Sequence, residues 1–274
     1  MHNNKRKILL LVEGKKLEVK LFSRIIECFP ELPVTKNDII VYNTNLWNLN
    51  NALTKEFGEK WYEEEIDFIG FLKSSVNTKE QINSLMPDSN DIDAFESLKF
   101  RDVFLVFDYE RQDPNFDEHL ISKMLAFWNQ SSENGLLYIN YPMLEAFKHV
   151  KTPLPDKEFL TRKCNCVTLF SKENHNNMYK QIVSEESSFT DLRKLNRDIL
   201  KALVVHNICK VSEIVDGVAD LTDSFAEQYW GKIDLNKTLY IQSICSQDSK
   251  NGFVYVLATC LFFIPEYNTK LIFF

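Results

Sequence analysis

The chain has 274 residues, 45% hydrophobic and 26% charged, which suits a globular protein with one large domain or two smaller ones. Its net charge of −7 argues against a dedicated nucleic-acid binder with a broad basic face, although bound cations can offset acidic residues in a nuclease. No apolar run approaches the roughly 18 residues of a transmembrane helix, and charged residues interrupt the first run too early for a signal peptide. We therefore expect a cytoplasmic protein without membrane contact, and its six scattered cysteines to be free thiols.

The first predicted elements are a buried strand over residues 5–12 and a helix over 15–29, whose apolar residues recur at three- and four-residue spacings. Glu13 and Gly14 lie between them, so the chain opens like a βαβ unit. Gly14 allows either a tight turn with positive φ or the close approach of a ligand to the backbone. Glu13 is expected at the carboxyl end of the strand, where α/β sheets bind ligands.

Lys15 and Lys16 follow at the start of the predicted helix, where cationic side chains and free N–H groups could contact a phosphate. Such lysines are more often solvated. The chain lacks the P-loop pattern and the glycine-rich dinucleotide pattern, which argues against those two classes of nucleotide site.

The next segment predicts a second strand over residues 38–42 and an amphipathic helix over 46–61. Residues 66–72 are apolar but fit either a helix or a strand. A turn cluster at 87–91 interrupts a polar stretch. We interpret 44–99 as a second helix enlarged by a helical insertion.

A short run rich in Val and Phe then predicts a strand buried on both faces, and it ends at Asp108. Glu110 follows two residues later, so both carboxylates point the same way if the extended conformation continues. Neighbouring carboxylates repel each other, and a hard cation such as Mg²⁺ relieves that repulsion. The alternative is a solvated strand end. Asp113 is a candidate third acid, although the start of an Asp-Pro loop is favoured.

A helix over 120–128 and a strand over 136–140 are predicted next, with Pro142 in the first turn of a further helix. Glu145 and Lys148 lie one turn apart on that helix. The glutamate could join a metal site and the lysine could stabilise a developing phosphate charge; an ordinary surface pair is an equal alternative.

The C-terminal region has a different character. Residues 156–215 read as polar helices, 253–264 as a buried helix, and 271–274 as an apolar end that should be docked in the core or in a partner. His175 and His206 have no partner at metal-ligand spacing, so surface or core roles are favoured.

The strand ending in Glu-Gly, the helix after it and the later strand ending in D-x-E resemble the toprim domain over residues 5–150. This domain occurs in topoisomerases, primases, certain ribonucleases and the nuclease part of overcoming-lysogenization-defect (OLD) proteins and related phage-defence effectors. The resemblance implies that Glu13 is a metal-linked acid or general acid/base and that Asp108 and Glu110 bind Mg²⁺ or Mn²⁺. Glu18 is similar to the second acid of the E-G-x-x-E pattern, but lies one place late.

The expected fold is therefore α/β and toprim-like, with a mostly parallel central sheet flanked by helices. We expect a catalytic domain over 1–150 and a mainly helical domain over 151–274 that is a candidate assembly surface, including for a homo-oligomer. The resemblance implies a metal-dependent endonuclease acting on DNA or tRNA in anti-phage defence, with an ATPase partner protein. Glu145 and Lys148 are similar in placement to the later acid and lysine of OLD-type nucleases. The alternative is a non-catalytic toprim-like scaffold that assembles with a partner.

Overall fold

The fold is given by a computed structural model, which describes residues 7–74, 100–132, 134–166, 177–248 and 251–274. The turn cluster at 87–91, His175 and the later part of the expected insertion lie outside these residues. The chain forms two compact units, made of Met1–Phe107 with Lys123–Tyr138 and of Asp108–Ser122 with Ile139–Phe274. The expected domain boundary near residue 150 stays a prediction.

One sheet of five strands dominates the fold, with strand order β2-β1-β3-β5-β4, and a second sheet pairs β6 with β7. The strand β1 pairs in parallel with β2 and β3, whereas β4 is antiparallel to β5. The prediction of an α/β protein with a mostly parallel sheet flanked by helices is confirmed. The strands are β1 (Lys7–Val12), β2 (Ile39–Val41), β3 (Phe100–Asp108), β4 (Asn129–Gln130), β5 (Gly135–Asn140), β6 (Lys163–Asn165) and β7 (Phe253–Tyr255).

The α-helices of the described ranges are α1 (Leu17–Cys28), α2 (Leu46–Phe57), α3 (Phe68–Ser74), α4 (Glu118–Phe127), α5 (Asn177–Glu186), α6 (Arg197–Asp216), α7 (Asp223–Trp230), α8 (Leu235–Ser246), α9 (Phe263–Tyr267) and α10 (Lys270–Phe273). Short 3₁₀ helices include Leu144–Lys148, Lys157–Thr161 and Thr259–Phe262. Within these ranges, every helix is too short or too polar to cross a bilayer.

The two strands at the centre of the sheet are almost wholly removed from solvent. In β1 the residues from Ile8 to Val12 are at most 1% exposed, and β3 is similarly buried between Val103 and Phe107. Strands covered on both faces require continuous apolar runs, which explains why both segments lack alternation. Their register pairs Val12 with Val106, so both strands run to the same edge of the sheet.

The prediction that Pro142 lies in the first turn of a helix is wrong. A 3₁₀ helix begins at Leu144 instead, and Pro142 lies before it, after a backbone pair between Tyr141 and Leu257. The Tyr141 N–H donates to Leu257 O, and the Leu257 N–H donates to Tyr141 O, both at 2.8 Å. This pairing holds the chain extended at the position where local sequence favours a helical turn.

The buried helix expected over 253–264 is also wrong in its first half. Residues Phe253–Tyr255 form β7, because they pair with β6 and because the Gln242 side chain bonds both backbone groups of Tyr255, at 2.8 and 3.0 Å. Helical structure starts only at Thr259. Long-range hydrogen bonds to the backbone therefore override the local apolar pattern.

The polar helices expected over 156–215 are interrupted by β6, which forms through its pairing with β7. Several side chains nevertheless have the environment that the sequence predicts. His206 is a core residue, since its Nε2 accepts the Asp156 N–H at 2.9 Å and its Nδ1 lies 2.6 Å from the Ala202 carbonyl. Leu271 and Ile272 are buried, whereas Phe274 is exposed. All six cysteines are free, and four of them are buried.

The first unit contains a cluster of aromatic rings around Trp61, which is fully buried. The Trp61 ring lies 5.1 Å from the Phe127 ring and 5.0 Å from the Trp128 ring. Its indole N–H donates to Asn50 Oδ1 at 3.0 Å. Removal of this side chain would leave a large cavity and an unpaired amide.

We expect Trp61→Ala to lower the free energy of unfolding by about 3–5 kcal/mol, as for other buried large-to-small changes. The measurement is urea unfolding followed by circular dichroism. Lys60→Ala, at an exposed neighbouring position, should change the free energy of unfolding by less than about 0.5 kcal/mol. A loss below about 1 kcal/mol in Trp61→Ala would contradict the assignment of this cluster to the core.

Candidate functional site

The predicted acids follow two strands that are neighbours in the sheet. Glu13 comes directly after β1, and Asp108 is the last residue of β3. The two strands are adjacent and parallel in the sheet. Glu13, Asp108 and Glu110 are all partly exposed, as residues at the edge of a sheet can be.

The backbone φ of Gly14 lies outside the positive range, so its turn does not require the left-handed conformation. A Cβ at this position would lie 2.6 Å from Glu18 Oε1 and 2.7 Å from Glu18 Oε2. The Glu18 carboxylate therefore reaches back from the first turn of α1 to the turn that follows β1. Lys15 and Lys16 in this turn are exposed.

The chain turns immediately after Asp108 and does not continue as a strand. The Glu110 N–H donates to Asp108 O at 3.0 Å, and the Arg111 N–H donates to Tyr109 O at 2.8 Å. The condition under which Asp108 and Glu110 would point the same way is therefore not met. The distance between the two carboxylates is set by the geometry of this turn.

Asp113 stabilises the loop that follows. Its Oδ1 accepts hydrogen bonds from the Asn115 backbone N–H at 2.8 Å and from the Asn115 amide at 3.1 Å. This is an Asx turn, the loop role that the sequence favoured.

Glu145 and Lys148 both lie on the 3₁₀ helix Leu144–Lys148. The Glu145 carboxylate forms an ion pair at 3.6 Å with the ammonium of Lys180, which lies in α5. The Lys148 ammonium lies 5.6 Å from the centre of the Phe147 ring.

Asn140 is a buried polar residue at the end of β5, directly beside the candidate site. Its Nδ2 lies 3.5 Å from Asp108 Oδ1, and its Oδ1 accepts the Cys260 N–H at 3.2 Å. Its backbone carbonyl accepts the Tyr109 N–H at 2.9 Å. Asn140 thus contacts both the side chain of Asp108 and the backbone of the next residue.

Tyr109 is anchored on the opposite side of this turn. Its hydroxyl lies 3.3 Å from Glu118 Oε1, and Ser243 donates to the other oxygen of the same carboxylate. Burial, assisted by the Glu118 charge, raises the pKa of Tyr109 well above its usual value. Tyr109, which lies between Asp108 and Glu110, is therefore held in place through its neutral phenol.

A chain of hydrogen bonds links Tyr179, His149 and Glu186. The Tyr179 hydroxyl lies 3.2 Å from His149 Nδ1, and His149 Nε2 lies 3.3 Å from Glu186 Oε2. A carboxylate can only accept, so the neutral imidazole donates through Nε2 and accepts from Tyr179 through Nδ1. Burial lowers the pKa of His149 to about 4, although the bond to Glu186 opposes that shift.

Burial is the main reason that the pKa of Tyr179 is raised well above its usual value, and the charges of Cys164, Glu145 and Asp108 raise it further.

Among the residues that the structure describes, no group of three or more His, Cys, Asp or Glu side chains is arranged to hold a metal ion. A cavity of about 280 Å³ adjoins the His149 chain and is lined by His149, Arg162, Lys163, Cys164, Asn165, Ile182 and Glu186. The Arg162 guanidinium at this cavity donates to the His149 carbonyl at 2.7 Å and to Asp156 at 2.8 Å.

No protein-family model matches the chain, and comparison with the curated proteins and with the solved structures finds no match.

Three polar residues near Asp108 and Glu145 were absent from the predicted set: Asn140, His149 and Tyr179. Asn140 carries a sequence signal, since it is the polar residue that ends an apolar strand run, as Asp108 does. His149 and Tyr179 carry none, because their pairing joins residues 30 positions apart.

We expect the free energy of unfolding to fall less steeply with decreasing pH in His149→Gln than in the wild type. The His149 pKa is lowered on folding, so the unfolded state takes up the proton and stability falls as pH drops from about 6.5 to about 4. One such proton gives a slope of up to about 1.4 kcal/mol per pH unit.

The measurement is urea unfolding at several pH values. His119→Gln, the same change at an exposed histidine, should keep the wild-type slope. Parallel profiles for wild type and His149→Gln would contradict the buried neutral imidazole.

Proposed function

We propose that this protein is a metal-dependent nuclease that hydrolyses phosphodiester bonds, with its site at the carboxyl ends of β1 and β3. The observation that carries the proposal is the parallel pairing of these two strands, because Glu13 comes directly after β1 and Asp108 is the last residue of β3. Sheets of this class bind ligands at this edge. The acids are Glu13, Asp108 and Glu110.

The chemistry of these residues fits a hard divalent cation, which prefers carboxylate oxygens. Asp108 and Glu110 would hold Mg²⁺ or Mn²⁺, and Glu13 would be a further ligand or would move a proton to or from the reacting water. When bound, the cation would supply Lewis acidity toward the phosphate and its attacking water. Lys148 and Lys15 would add positive charge for the nucleic-acid backbone.

The biological setting of the proposal rests on the toprim resemblance. It suggests an effector of anti-phage defence that acts in the cytoplasm on DNA or tRNA, assisted by an ATPase partner protein or by self-assembly. The net charge of −7 favours a substrate held by a local site over broad binding to duplex DNA.

A second candidate is a non-catalytic scaffold, and specific contacts favour it. Asp113 is used in a turn, and Glu145 is paired with Lys180. The described residues also hold no ready group of three metal-binding side chains. In this alternative the acids would be cap or loop residues, and the hydrophobic C-terminal half would serve assembly.

We expect the protein to cut plasmid DNA or bulk tRNA in the presence of Mg²⁺ or Mn²⁺. Whichever of the two is cut identifies the class of nucleic acid that is the substrate. Glu13→Gln and Asp108→Asn should each lower the rate by roughly 100-fold or more, because an essential acid or ligand is lost. The measurement is the rate of product formation on gels over a range of metal concentrations.

Asp198→Asn makes the same type of change at an exposed residue in the first turn of α6 and should keep the wild-type rate. Equal rates in Asp108→Asn and Asp198→Asn would argue that a contaminant or another site performs the cleavage.

We also expect Mn²⁺ to stabilise the folded protein, by about 2.7 kcal/mol at a concentration 100 times its Kd. The measurement is the melting temperature as a function of Mn²⁺, with Ca²⁺ and a chelator for comparison. The shift should be absent in Asp108→Asn. A scaffold without a metal site would show the same melting temperature with and without Mn²⁺.

A further inference from the structure

We propose that the exposed face of the β6–β7 sheet is an aromatic platform on which bases of a single-stranded nucleic acid stack. The two strands are antiparallel, and their register places Lys163 opposite Tyr255. The next pair on the same face is Asn165 with Phe253. Successive side chains of a strand point to opposite faces, so these four residues share one face of the sheet. Each of them is at least partly exposed, and the residue between them on each strand is buried.

The two aromatic rings of the platform are not stacked on each other. The centres of the Phe253 and Tyr255 rings lie 5.1 Å apart, and the rings are nearly perpendicular, at 86°. A base can stack on an aromatic side chain whatever its identity, because every base has a flat π face. A partly exposed ring on an open sheet is therefore a suitable surface for a base, as in other sheets that bind single strands.

Lys163 supplies the positive charge of the platform. Its ammonium lies 4.0 Å from the centre of the Phe253 ring. An exposed cation–π contact is weaker than the stacking of a base on the same kind of ring. A base can therefore displace the ammonium from the ring, and the displaced ammonium then lies within reach of the phosphate of the same nucleotide.

Two other charged groups beside β6 have partners of opposite charge. The cavity of about 280 Å³ is lined by all three residues of this strand, together with residues that include Arg162 and Glu186. The Arg162 guanidinium is paired with Asp156 at 2.8 Å, and the Glu186 carboxylate is paired with Lys151 at 3.3 Å. These pairs largely balance their own charges, so Lys163 adds positive charge at this face and favours an anionic ligand.

The size of the platform argues for nucleobases and against a protein partner. Two strands of three residues, with spacings of about 3.4 Å along a strand and 4.8 Å between strands, present a face of roughly 100 Å². A stable protein interface covers about 800 Å² on each partner. The platform is far smaller than that, but it matches the flat area of roughly one or two bases.

This inference deepens the proposed function, because it names the part of the substrate that the protein holds. It implies that the substrate has single-stranded segments, which the loops of tRNA provide and uninterrupted duplex DNA does not. It also fits the net charge of −7, since stacking supplies affinity without a broad basic face. Stacking requires no metal, so binding can be measured apart from cleavage.

The test is the fluorescence anisotropy of a short labelled oligouridylate or oligothymidylate, titrated with the whole protein in EDTA. A strand of the same length made of abasic nucleotides has the same phosphates, and it should bind about 10-fold more weakly or less. Phe253→Leu removes the aromatic face but keeps an apolar side chain, and it should weaken binding of the normal strands by about 10-fold. Phe225→Leu is the matched control, because Phe225 is also partly exposed and also pairs with a tyrosine ring.

Lys163→Ala is a second variant, at a residue whose side chain is exposed. It should reduce the slope of log affinity against log salt concentration by about 0.7, because one phosphate contact is lost. Lys232→Ala, at another exposed lysine, should keep the wild-type slope.

Equal affinity of the wild type for normal and abasic strands would overturn the platform, and so would equal affinities in Phe253→Leu and Phe225→Leu. Base-dependent binding without any cleavage in Mn²⁺ would overturn the proposed nuclease and support the platform. Cleavage by the wild type, together with normal binding by Phe253→Leu, would overturn the platform alone.

Discussion

The parallel pairing of β1 with β3 is the constraint on which the rest of this structure depends. Both strands are buried over their central residues, Ile8 to Val12 and Val103 to Phe107, so their register is fixed by side chains on two faces. A slip of one residue would turn every apolar side chain to the other face. The same register brings the ends of both strands to one edge of the sheet, where Glu13 and Asp108 follow apolar runs. The pairing of β1 with β3 therefore determines both the fold of the sheet and the edge at which the candidate acids lie.

The polar groups near Asp108 show how a buried environment can prepare an acidic site. The Asn140 amide, the neutral His149 ring and the Tyr179 hydroxyl each have a hydrogen-bond partner in the second unit. Buried polar groups are costly unless they are paired, so such networks fix one arrangement of side chains. A scaffold requires stability alone, whereas a metal site requires a carboxylate held in one orientation.

Much of the sheet and several helices could be predicted from the sequence because their signals are local. Apolar runs gave β1, β3 and β5, and helical spacing gave α1 and α2. The two-residue strand β4 and the strand β7 could not be predicted in this way, because each exists through pairing with a distant partner. Candidate acids could be named from strand ends, but the turn after Asp108 and the pairing of Glu145 with Lys180 depend on tertiary contacts.

The central claim is that the acids following β1 and β3 bind a divalent cation, and anomalous diffraction from crystals grown in Mn²⁺ tests it most directly. The account predicts a strong anomalous peak within about 2.0–2.3 Å of an Asp108 carboxylate oxygen, a normal distance for such ions. A saturating Mn²⁺ soak that gives no peak beside Asp108, or peaks only at exposed acids elsewhere, would contradict the account.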